Sequence, residues 1–260
     1  MRTIAIVNMK GGVGKSTTAI NLAYLLATEH QQRVLLVDAD GQANTTRTLL
    51  PTREYAGLAA LLSGNCCCYD EVIVPTGIKN LDMIPASSDL WSVDLSCITQ
   101  DGTPTFRALR DTRDNITEDD AYDVMIIDCP PNFSAACVSA ITASNSIVIP
   151  VLPDAFSAEG MSDLVAQIDG VRKIHADIRV AGCLITQWHK ADVVEDATGY
   201  FRESSPVPVF DTVIRRTDKV LESTWAKQPV LMWSPCSSAA KDYRTWVQEF
   251  VTREALVNGR

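Results

Sequence analysis

The 260-residue chain lacks the features that mark several specialised classes of protein. It has no Cys-x-x-Cys pair, and His30, His175 and His189 are scattered, so zinc or iron–sulfur ligation is poorly supported. No apolar run approaches the length of a membrane span, and the N-terminus has no signal-peptide pattern. No linker or repeat divides the sequence. We therefore expect a single domain over residues 1–260, located in the cytoplasm.

Positive charge is also scarce. The chain has 23 Lys and Arg against 32 Asp and Glu, a net charge of -9. This balance argues against a uniformly basic nucleic-acid-binding surface and leaves only local basic patches. Eight cysteines are present, three of them consecutive at Cys66, Cys67 and Cys68. Adjacent cysteines are poor disulfide partners, so we interpret the cysteines as mostly small apolar residues of a reduced, intracellular protein.

Short apolar segments alternate with helical patterns along the chain. Several of these segments are apolar throughout, which is typical of parallel strands covered on both faces. The predicted strands are Thr3–Val7, Arg33–Val37, Leu81–Ile84, Tyr122–Ile127, Ser146–Val151, Val180–Thr186 and Val207–Val213. The predicted helices are Thr17–Thr28, Pro104–Asn115, Ala135–Ala143, Ala158–His175, Asp192–Glu203, Thr217–Ala226 and Ala239–Ala255. This alternation predicts an α/β fold, a doubly wound and mostly parallel sheet flanked by helices, with its ligand site at the C-terminal ends of the strands.

A glycine-rich loop joins the first predicted strand to the first predicted helix. Glycines allow backbone N–H groups to approach an anion closely, and the helix N-terminus adds the positive end of its dipole. The loop departs from the general phosphate-binding pattern, because Met9 stands where that pattern has glycine and Lys10 precedes the loop. Lys10 alone could be an ordinary solvated lysine. The expected phosphate-binding residues are Gly11, Gly12, Val13, Gly14, Lys15, Ser16 and Thr17, with the Ser16 hydroxyl as a ligand of Mg2+.

Aspartates stand at the ends of two other predicted strands. Asp38 and Asp40 follow one strand; one of them could hold a metal ion or its water shell while the other orients an attacking water, although a simple turn would have the same spacing. Asp128 ends an apolar strand in the Walker B arrangement, where it would accept hydrogen bonds from water on Mg2+ or reach the metal itself. Together with the glycine loop, these aspartates predict a nucleotide site.

These motifs together resemble one family. Lys-Gly-Gly-Val-Gly-Lys-Ser-Thr, Asp-x-Asp-x-Gln and Tyr-Asp-x-x-Ile-Ile-Asp-x-Pro-Pro are similar to the deviant Walker A ATPases, the ParA/Soj and MinD family of partition and positioning proteins. The similarity extends through Leu81–Ser87 and Val148–Val151. The segments Val209–Arg216 and Lys227–Val230 favour the ParA/Soj branch.

The resemblance implies a role for each residue of the site. Lys10 would reach across a two-fold dimer to the partner's nucleotide, whereas Lys15 and Ser16 would bind phosphate and Mg2+ within their own subunit. Asp40 would position the attacking water as the catalytic aspartate. Asp38 would support Mg2+, and Asp128 would be the Walker B residue. The implied activity is hydrolysis of ATP to ADP and phosphate, with ATP and Mg2+ bound in a homodimer.

The resemblance also implies partners. ParA relatives bind DNA without sequence specificity as ATP dimers, and a ParB-type centromere-binding protein stimulates their hydrolysis; the protein would then be associated with the nucleoid. A local basic cluster would meet the DNA phosphates, although these residues could equally be solvated or contact nucleotide. The candidate cluster is Arg215, Arg216, Lys219 and Lys227. Two departures from Soj-like chains, Gly41 in place of proline and Ala43 in place of glycine, lie beside the catalytic aspartate.

Three alternatives remain open. A MinD-like protein would hold a membrane through a C-terminal amphipathic helix, but the end of this chain has few basic residues, and packing of that helix on the sheet is the expected arrangement. The apolar positions concerned are Trp246, Phe250, Val251, Leu256 and Val257. An iron–sulfur ATPase would need cluster ligands, for which only Cys97 and Cys129 are candidates. A nucleotide-dependent scaffold would turn over little ATP, and the pair Asp38 and Asp40 favours hydrolysis instead.

Overall fold

The computed structural model describes residues 1–66, 68–99, 103–173 and 177–258, with the backbone alone at 98, 99, 103, 104 and 255–258. His175 and Cys67 lie outside the described residues. The strands are β1 (Arg2–Ile6), β2 (Val34–Asp38), β3 (Val74–Pro75), β4 (Leu81–Ile84), β5 (Val124–Asp128), β6 (Ser146–Val151) and β7 (Arg179–Ile185). The helices are α1 (Lys15–Thr28), α2 (Asn44–Leu49), α3 (Leu58–Leu62), α4 (Leu90–Thr99), α5 (Thr103–Glu118), α6 (Ala135–Ala143), α7 (Ala155–Arg172), α8 (Asp192–Ser204), α9 (Asp218–Trp225), α10 (Val230–Trp233) and α11 (Ser238–Asn258).

The seven strands form one sheet in the order β3-β4-β2-β5-β1-β6-β7. All neighbouring pairs are parallel except β3 with β4. Parallel strands need crossover connections, and the helices that supply them cover the sheet. The predicted fold class, an α/β doubly wound sheet flanked by helices, is therefore confirmed.

The apolar strands are buried on both faces of this sheet. Successive residues of a strand point to opposite faces, so Leu35 and Val37 belong to one core and Val34 and Leu36 to the other. Helices α5, α6 and α7 contribute to the first core, and α1 and α11 to the second. This two-sided burial is why the strands show continuous apolar runs, and it leaves the loops at the strand ends free to carry the site.

The predicted strand Val207–Val213 is wrong. This segment runs beside β7 but forms only an isolated bridge between Val209 and Cys183. Two hydrogen bonds hold it there: Cys183 donates from its backbone N to the carbonyl of Pro208, and Phe210 donates to the carbonyl of Cys183. Pro208 has no N–H to continue a ladder, so regular pairing stops although Phe210 is fully buried.

The C-terminal helix packs on the sheet, as expected. Tyr243, Trp246, Val247 and Phe250 of α11 are buried in the second core. Leu256 and Val257 fall where only the backbone is described. None of the helices in the described ranges is long and apolar enough to cross a membrane.

The described cysteines differ in burial. Cys129, Cys137 and Cys183 are buried, and Cys66 and Cys97 are half-buried against the first core. Cys68 and Cys236 are exposed, so the expected role as apolar residues holds for five of the seven described cysteines.

Candidate nucleotide-binding site

The glycine loop turns sharply between β1 and α1. Gly12 has φ 74° and Gly14 has φ 87°, conformations that glycine adopts without strain. Helix α1 begins at Lys15, directly after Gly14, and no side chain caps its N-terminus. The first N–H groups of a helix have no partner within the helix. These uncapped donors, at the positive end of the α1 dipole, form a site for an anion.

Two residues that directly follow β7 hold this loop. The Thr186 hydroxyl donates to the carbonyl of Val13 at 2.8 Å, and Gln187 Nε2 donates to the carbonyl of Gly12 at 2.7 Å. In a planar trans peptide the N–H points opposite to the carbonyl. The N–H groups of Val13 and Gly14 therefore face away from Thr186 and Gln187.

The two lysines of the loop have different surroundings. Lys15 is buried, and its Nζ donates to the carbonyl of Lys10 at 3.0 Å. Burial lowers the pKa of Lys15, and nearby Asp128 opposes that effect. Lys10 points elsewhere: its Nζ lies 2.6 Å from Asp154 Oδ2 and 3.2 Å from Ser157 Oγ, at the N-terminus of α7.

Asp38 and Asp128 are neighbours in the register of β2 and β5. Both are fully buried. Burial, reinforced by the charge of Asp128, raises the pKa of Asp38 to about 8. Burial also raises the pKa of Asp128 to about 6, while the nearby hydroxyl groups of Thr45 and Ser16 act to lower it. Two adjacent buried carboxylates repel each other, so the site favours a cation between or beside them.

These two aspartates differ in their hydrogen-bond partners. Asp38 Oδ2 accepts from the Thr46 backbone N and hydroxyl, both at 2.8 Å, and Asp38 Oδ1 accepts from the Asp40 backbone N at 3.1 Å. Asp128 Oδ2 accepts from the Thr45 hydroxyl at 2.6 Å. Asp128 Oδ1 is buried and has no hydrogen-bond partner of normal geometry among the described residues.

The free oxygen of Asp128 fits a hydrated Mg2+. Mg2+ binds through one or two carboxylates, hydroxyls, water and substrate phosphates rather than through a cage of protein ligands. In keeping with this, no cluster of three or more His, Cys, Asp or Glu side chains within the described ranges could hold a metal ion. The Ser16 hydroxyl and Asp128 would hold the ion, which would neutralise charge on the phosphates of ATP.

An open cavity of about 580 Å³ connects these groups. Its walls include the glycine loop with Lys15, Ser16 and Thr17, together with Asp40, Pro131 and Lys227. Asp40 is half-buried, and its Oδ1 accepts from the Gln42 backbone N at 2.9 Å. No Cβ at Gly11 or Gly12 would meet another described atom within 4 Å, so the space in front of the loop is clear.

The predicted DNA-binding residues do not share one environment. Arg215 forms an ion pair with Asp242 at 2.6 Å, and Lys219 pairs with Glu222 at 2.8 Å. Lys227 lines the nucleotide cavity instead. Arg216 is exposed, and its backbone N donates to the carbonyl of Trp188.

Sequence reasoning missed three residues of the site. Thr45 and Thr46 lie on α2, a short polar helix with no apolar periodicity to reveal it. Asp154 caps α7 by accepting from the Ser157 backbone N at 2.8 Å. An aspartate before a helical pattern is a start signal, but the helix was expected to begin at Ala158, four residues further on.

The fold and the site define a P-loop nucleoside triphosphatase. The family model described as "AAA domain" matches residues 1–180. The chromosome partitioning protein ParA of Caulobacter vibrioides is 33% identical over 262 residues, which cover 98% of this chain and 95% of that protein. The sporulation initiation inhibitor protein Soj of Bacillus subtilis is 34% identical over 270 residues, covering 95% and 97%.

A solved structure shows the same fold. Cobyrinic acid a,c-diamide synthase of Mycobacterium smegmatis, with bound ATP analogue and magnesium, aligns with a TM-score of 0.80 and 25% identity. The alignment covers 95% of this chain and 93% of that one. The chain belongs to the ParA/MinD family of ATPases. The predicted family, ATPase class and use of ATP and Mg2+ are thereby confirmed.

Proposed function

We propose that this chain is a single-domain ParA-type ATPase that partitions plasmid or chromosomal DNA. ATP and Mg2+ bind the cavity and bring two copies together, and the dimer binds DNA without sequence specificity. A ParB-type centromere-binding partner stimulates hydrolysis, which releases the dimer and the DNA. In this cycle the protein is associated with the nucleoid. The family and the ParA and Soj relatives support the proposal, and one feature of the site carries it.

That feature is the position of Lys10. Lys15 lines its own nucleotide cavity, whereas Lys10 is absent from the described residues around that cavity. Its ammonium group is held by Asp154 at the start of α7, and the two side chains are 34% and 37% exposed. A cation placed beside the cavity, accessible and outside it, is suited to contact phosphate bound by a second copy.

The hydrogen bonds support the roles that we propose for the remaining residues. Asp128, with its free oxygen, and Ser16 serve Mg2+. Asp38 supports that site by holding Thr46 and the backbone of Asp40, because three hydrogen bonds already occupy its carboxylate. Asp40 lines the cavity and positions the attacking water. Lys15 binds the phosphates, together with the backbone of the glycine loop.

DNA binding depends on few residues. Arg215 and Lys219 are neutralised by acidic neighbours, and Lys227 lines the cavity. Arg216 is therefore the principal contact to DNA phosphate in the candidate cluster. A single arginine contributes little, but a dimer presents it twice, and affinity should fall steeply with salt.

The test measures the molecular mass of the protein in solution and its binding to duplex DNA. We expect light scattering to report a monomer with ADP and a dimer with ATP and Mg2+ in the Asp40→Ala variant, which should hydrolyse ATP only slowly. Only the dimer should sediment with non-specific duplex DNA at low salt. A chain that stays monomeric with ATP would refute the dimer, and a dimer that leaves the DNA in solution would refute the DNA role.

A further inference from the structure

Helix α4 places the indole of Trp91 directly over Gly41, the residue that follows Asp40. A Cβ built on Gly41 would lie 2.5 Å from Trp91 Nε1 and 3.0 Å from Trp91 Cδ1. Atoms in protein interiors do not approach so closely without displacement, so the indole occupies the space that a side chain at position 41 would need. Gly41 is buried while Trp91 is 54% exposed, which makes the indole the outer cover of this loop.

The backbone at Gly41 does not itself require glycine. Gly41 is not among the described glycines with positive φ, such as Gly12 and Gly14. Alanine at position 41 would therefore meet no backbone strain, only the indole. The contact between positions 41 and 91 can therefore be tested by substitution without added backbone strain.

Helix α4 is fixed to the ends of both aspartate-bearing strands. Leu90 and Val93 anchor it in the first core. Asp94 Oδ1 accepts from the Ala135 backbone N at 2.7 Å, which ties α4 to the start of α6 beyond the Pro130–Pro131 turn. The segment leading into α4 is linked to the end of β2 through α2, because the Ala86 backbone N donates to the Thr46 hydroxyl at 2.9 Å and that hydroxyl donates to Asp38.

These contacts give Trp91 a rigid base from which to restrain the loop. The loop carries Asp40, whose carboxylate accepts from the Gln42 backbone N across Gly41. Displacement of Gly41 would therefore move the carboxylate directly. A cavity of about 220 Å³ lies among Asp40, Trp91 and Pro131, so removal of the indole would leave the loop room to move.

We propose that Trp91 is a positioning residue for ATP hydrolysis, holding the Asp40–Gln42 loop, and that Gly41 is required because it accommodates the indole. The inference rests on the proposed role of Asp40. Trp91 is not among the described residues that line the nucleotide cavity; it acts through the backbone of Gly41. Its removal should therefore lower kcat and leave the affinity for ATP unchanged.

The test compares ATP hydrolysis by Trp91→Ala, Gly41→Ala and the double variant. We expect each single variant to lower kcat about ten-fold, because a shift of less than 1 Å in a catalytic group has effects of this size or larger. The KM for ATP should stay within about two-fold. In the double variant the clash is absent, so kcat should match that of Trp91→Ala rather than fall about a hundred-fold.

The control is Gly199→Ala on α8, where an added Cβ meets no described atom within 4 Å. It should hydrolyse ATP at the wild-type rate, and all variants should unfold at similar temperatures. Wild-type kcat in Gly41→Ala, or losses that multiply in the double variant, would overturn the proposal. Asp40→Ala, assayed alongside, distinguishes a failure of the role proposed for Asp40 from a failure of the role proposed for Trp91. Normal hydrolysis by Asp40→Ala would refute the role of Asp40 itself. An inactive Asp40→Ala with an unaffected Gly41→Ala would refute only the role of Trp91.

Discussion

Lys10 donates from Nζ to Oδ2 of Asp154 at 2.6 Å, and this contact joins the front of the glycine loop to the N-terminus of α7. The residues are 144 positions apart in the sequence. Burial acts to raise the pKa of Asp154, but hydrogen bonds from Lys10 and Ser157 outweigh it and hold the pKa below its usual value. The carboxylate is therefore charged at neutral pH and competes for Lys10 with any phosphate of a second copy.

Asp154→Asn should strengthen ATP-dependent dimerisation. Asparagine still caps α7 but has no charge with which to hold Lys10. An exposed ion pair is worth up to about 1 kcal/mol, so the dissociation constant of the dimer with ATP should fall by up to about five-fold. Analytical ultracentrifugation measures it. Asp163→Asn removes the same charge farther along α7 and should have no effect; a weaker dimer in Asp154→Asn would contradict the competition.

Replacing each lysine of the loop with alanine should separate ATP binding from dimerisation. Lys15→Ala removes a buried charge from the phosphate site and should weaken ATP binding about 100-fold, since a charged hydrogen bond contributes up to about 3 kcal/mol. Lys10→Ala should keep ATP affinity within about two-fold, because Lys10 lies outside its own cavity, yet fail to dimerise. Titration calorimetry with an ATP analogue distinguishes the two. Intact affinity in Lys15→Ala would be incompatible with its phosphate role.

Asp40→Ala should bind ATP and hydrolyse it slowly. The loss of a group that orients or deprotonates water typically costs about 10² to 10⁴ in rate. The ATP-bound dimer should therefore persist for longer than that of the wild type. Phosphate release and light scattering measure both effects. Asp89→Ala, an exposed aspartate before α4, is the matched control and should behave as wild type; equal rates in all three proteins would show that Asp40 does not position the water.

Arg216→Glu should weaken DNA retention without affecting the dimer. Each lost phosphate contact lowers the slope of log affinity against log salt by about one. Arg107→Glu makes the same change of charge on α5, which packs against the opposite face of the sheet, and should leave retention unchanged. Filter binding across a salt series tests the pair. Similar losses in both variants would indicate a general effect of net charge rather than a local contact.

Glu254→Ala should destabilise the attachment of α11. Glu254 is buried, forms an ion pair with Arg179 and accepts from the Ser146 hydroxyl at 2.9 Å. Removal of Glu254 leaves the Ser146 hydroxyl and the one-third exposed Arg179 without this acceptor, which should cost about 1 to 3 kcal/mol. Asp169→Ala breaks the exposed pair with Arg172 and should cost less than about 1 kcal/mol. Urea denaturation compares them; an equal loss of stability in both variants would contradict this account.

Most of the sheet was predictable because buried parallel strands are apolar throughout. The bounds predicted for helix α6, Ala135–Ala143, are those observed. The failures have local physical causes. Helix α2 is polar, and its Thr45 bonds to Asp128, 83 residues away, while Thr46 bonds to Asp38; periodicity does not reveal such tertiary contacts. Helix α4 is not among the predicted helices, although Leu90 and Val93 bury one of its faces.

The residues of the candidate site also differ in whether the sequence predicts them. The glycine loop, Asp38 and Asp128 could be located because their motifs depend on neighbours within the chain. The partner of Lys10 could not, since Asp154 approaches it only through the pairing of β1 with β6. The same applies to Arg215, which belongs to the predicted DNA-binding cluster but forms an ion pair with Asp242 of α11.

The contacts of Thr186 and Gln187 with the glycine loop affect how fast ATP can bind. Thr186 and Gln187 hold two of the loop's carbonyl oxygens before any nucleotide arrives. Two peptide groups of the loop are therefore already fixed in orientation when an anion enters the cavity, and no slow rearrangement of these groups should delay its binding. Discrimination between ATP and ADP must then come from groups outside the glycine loop that contact the terminal phosphate of ATP.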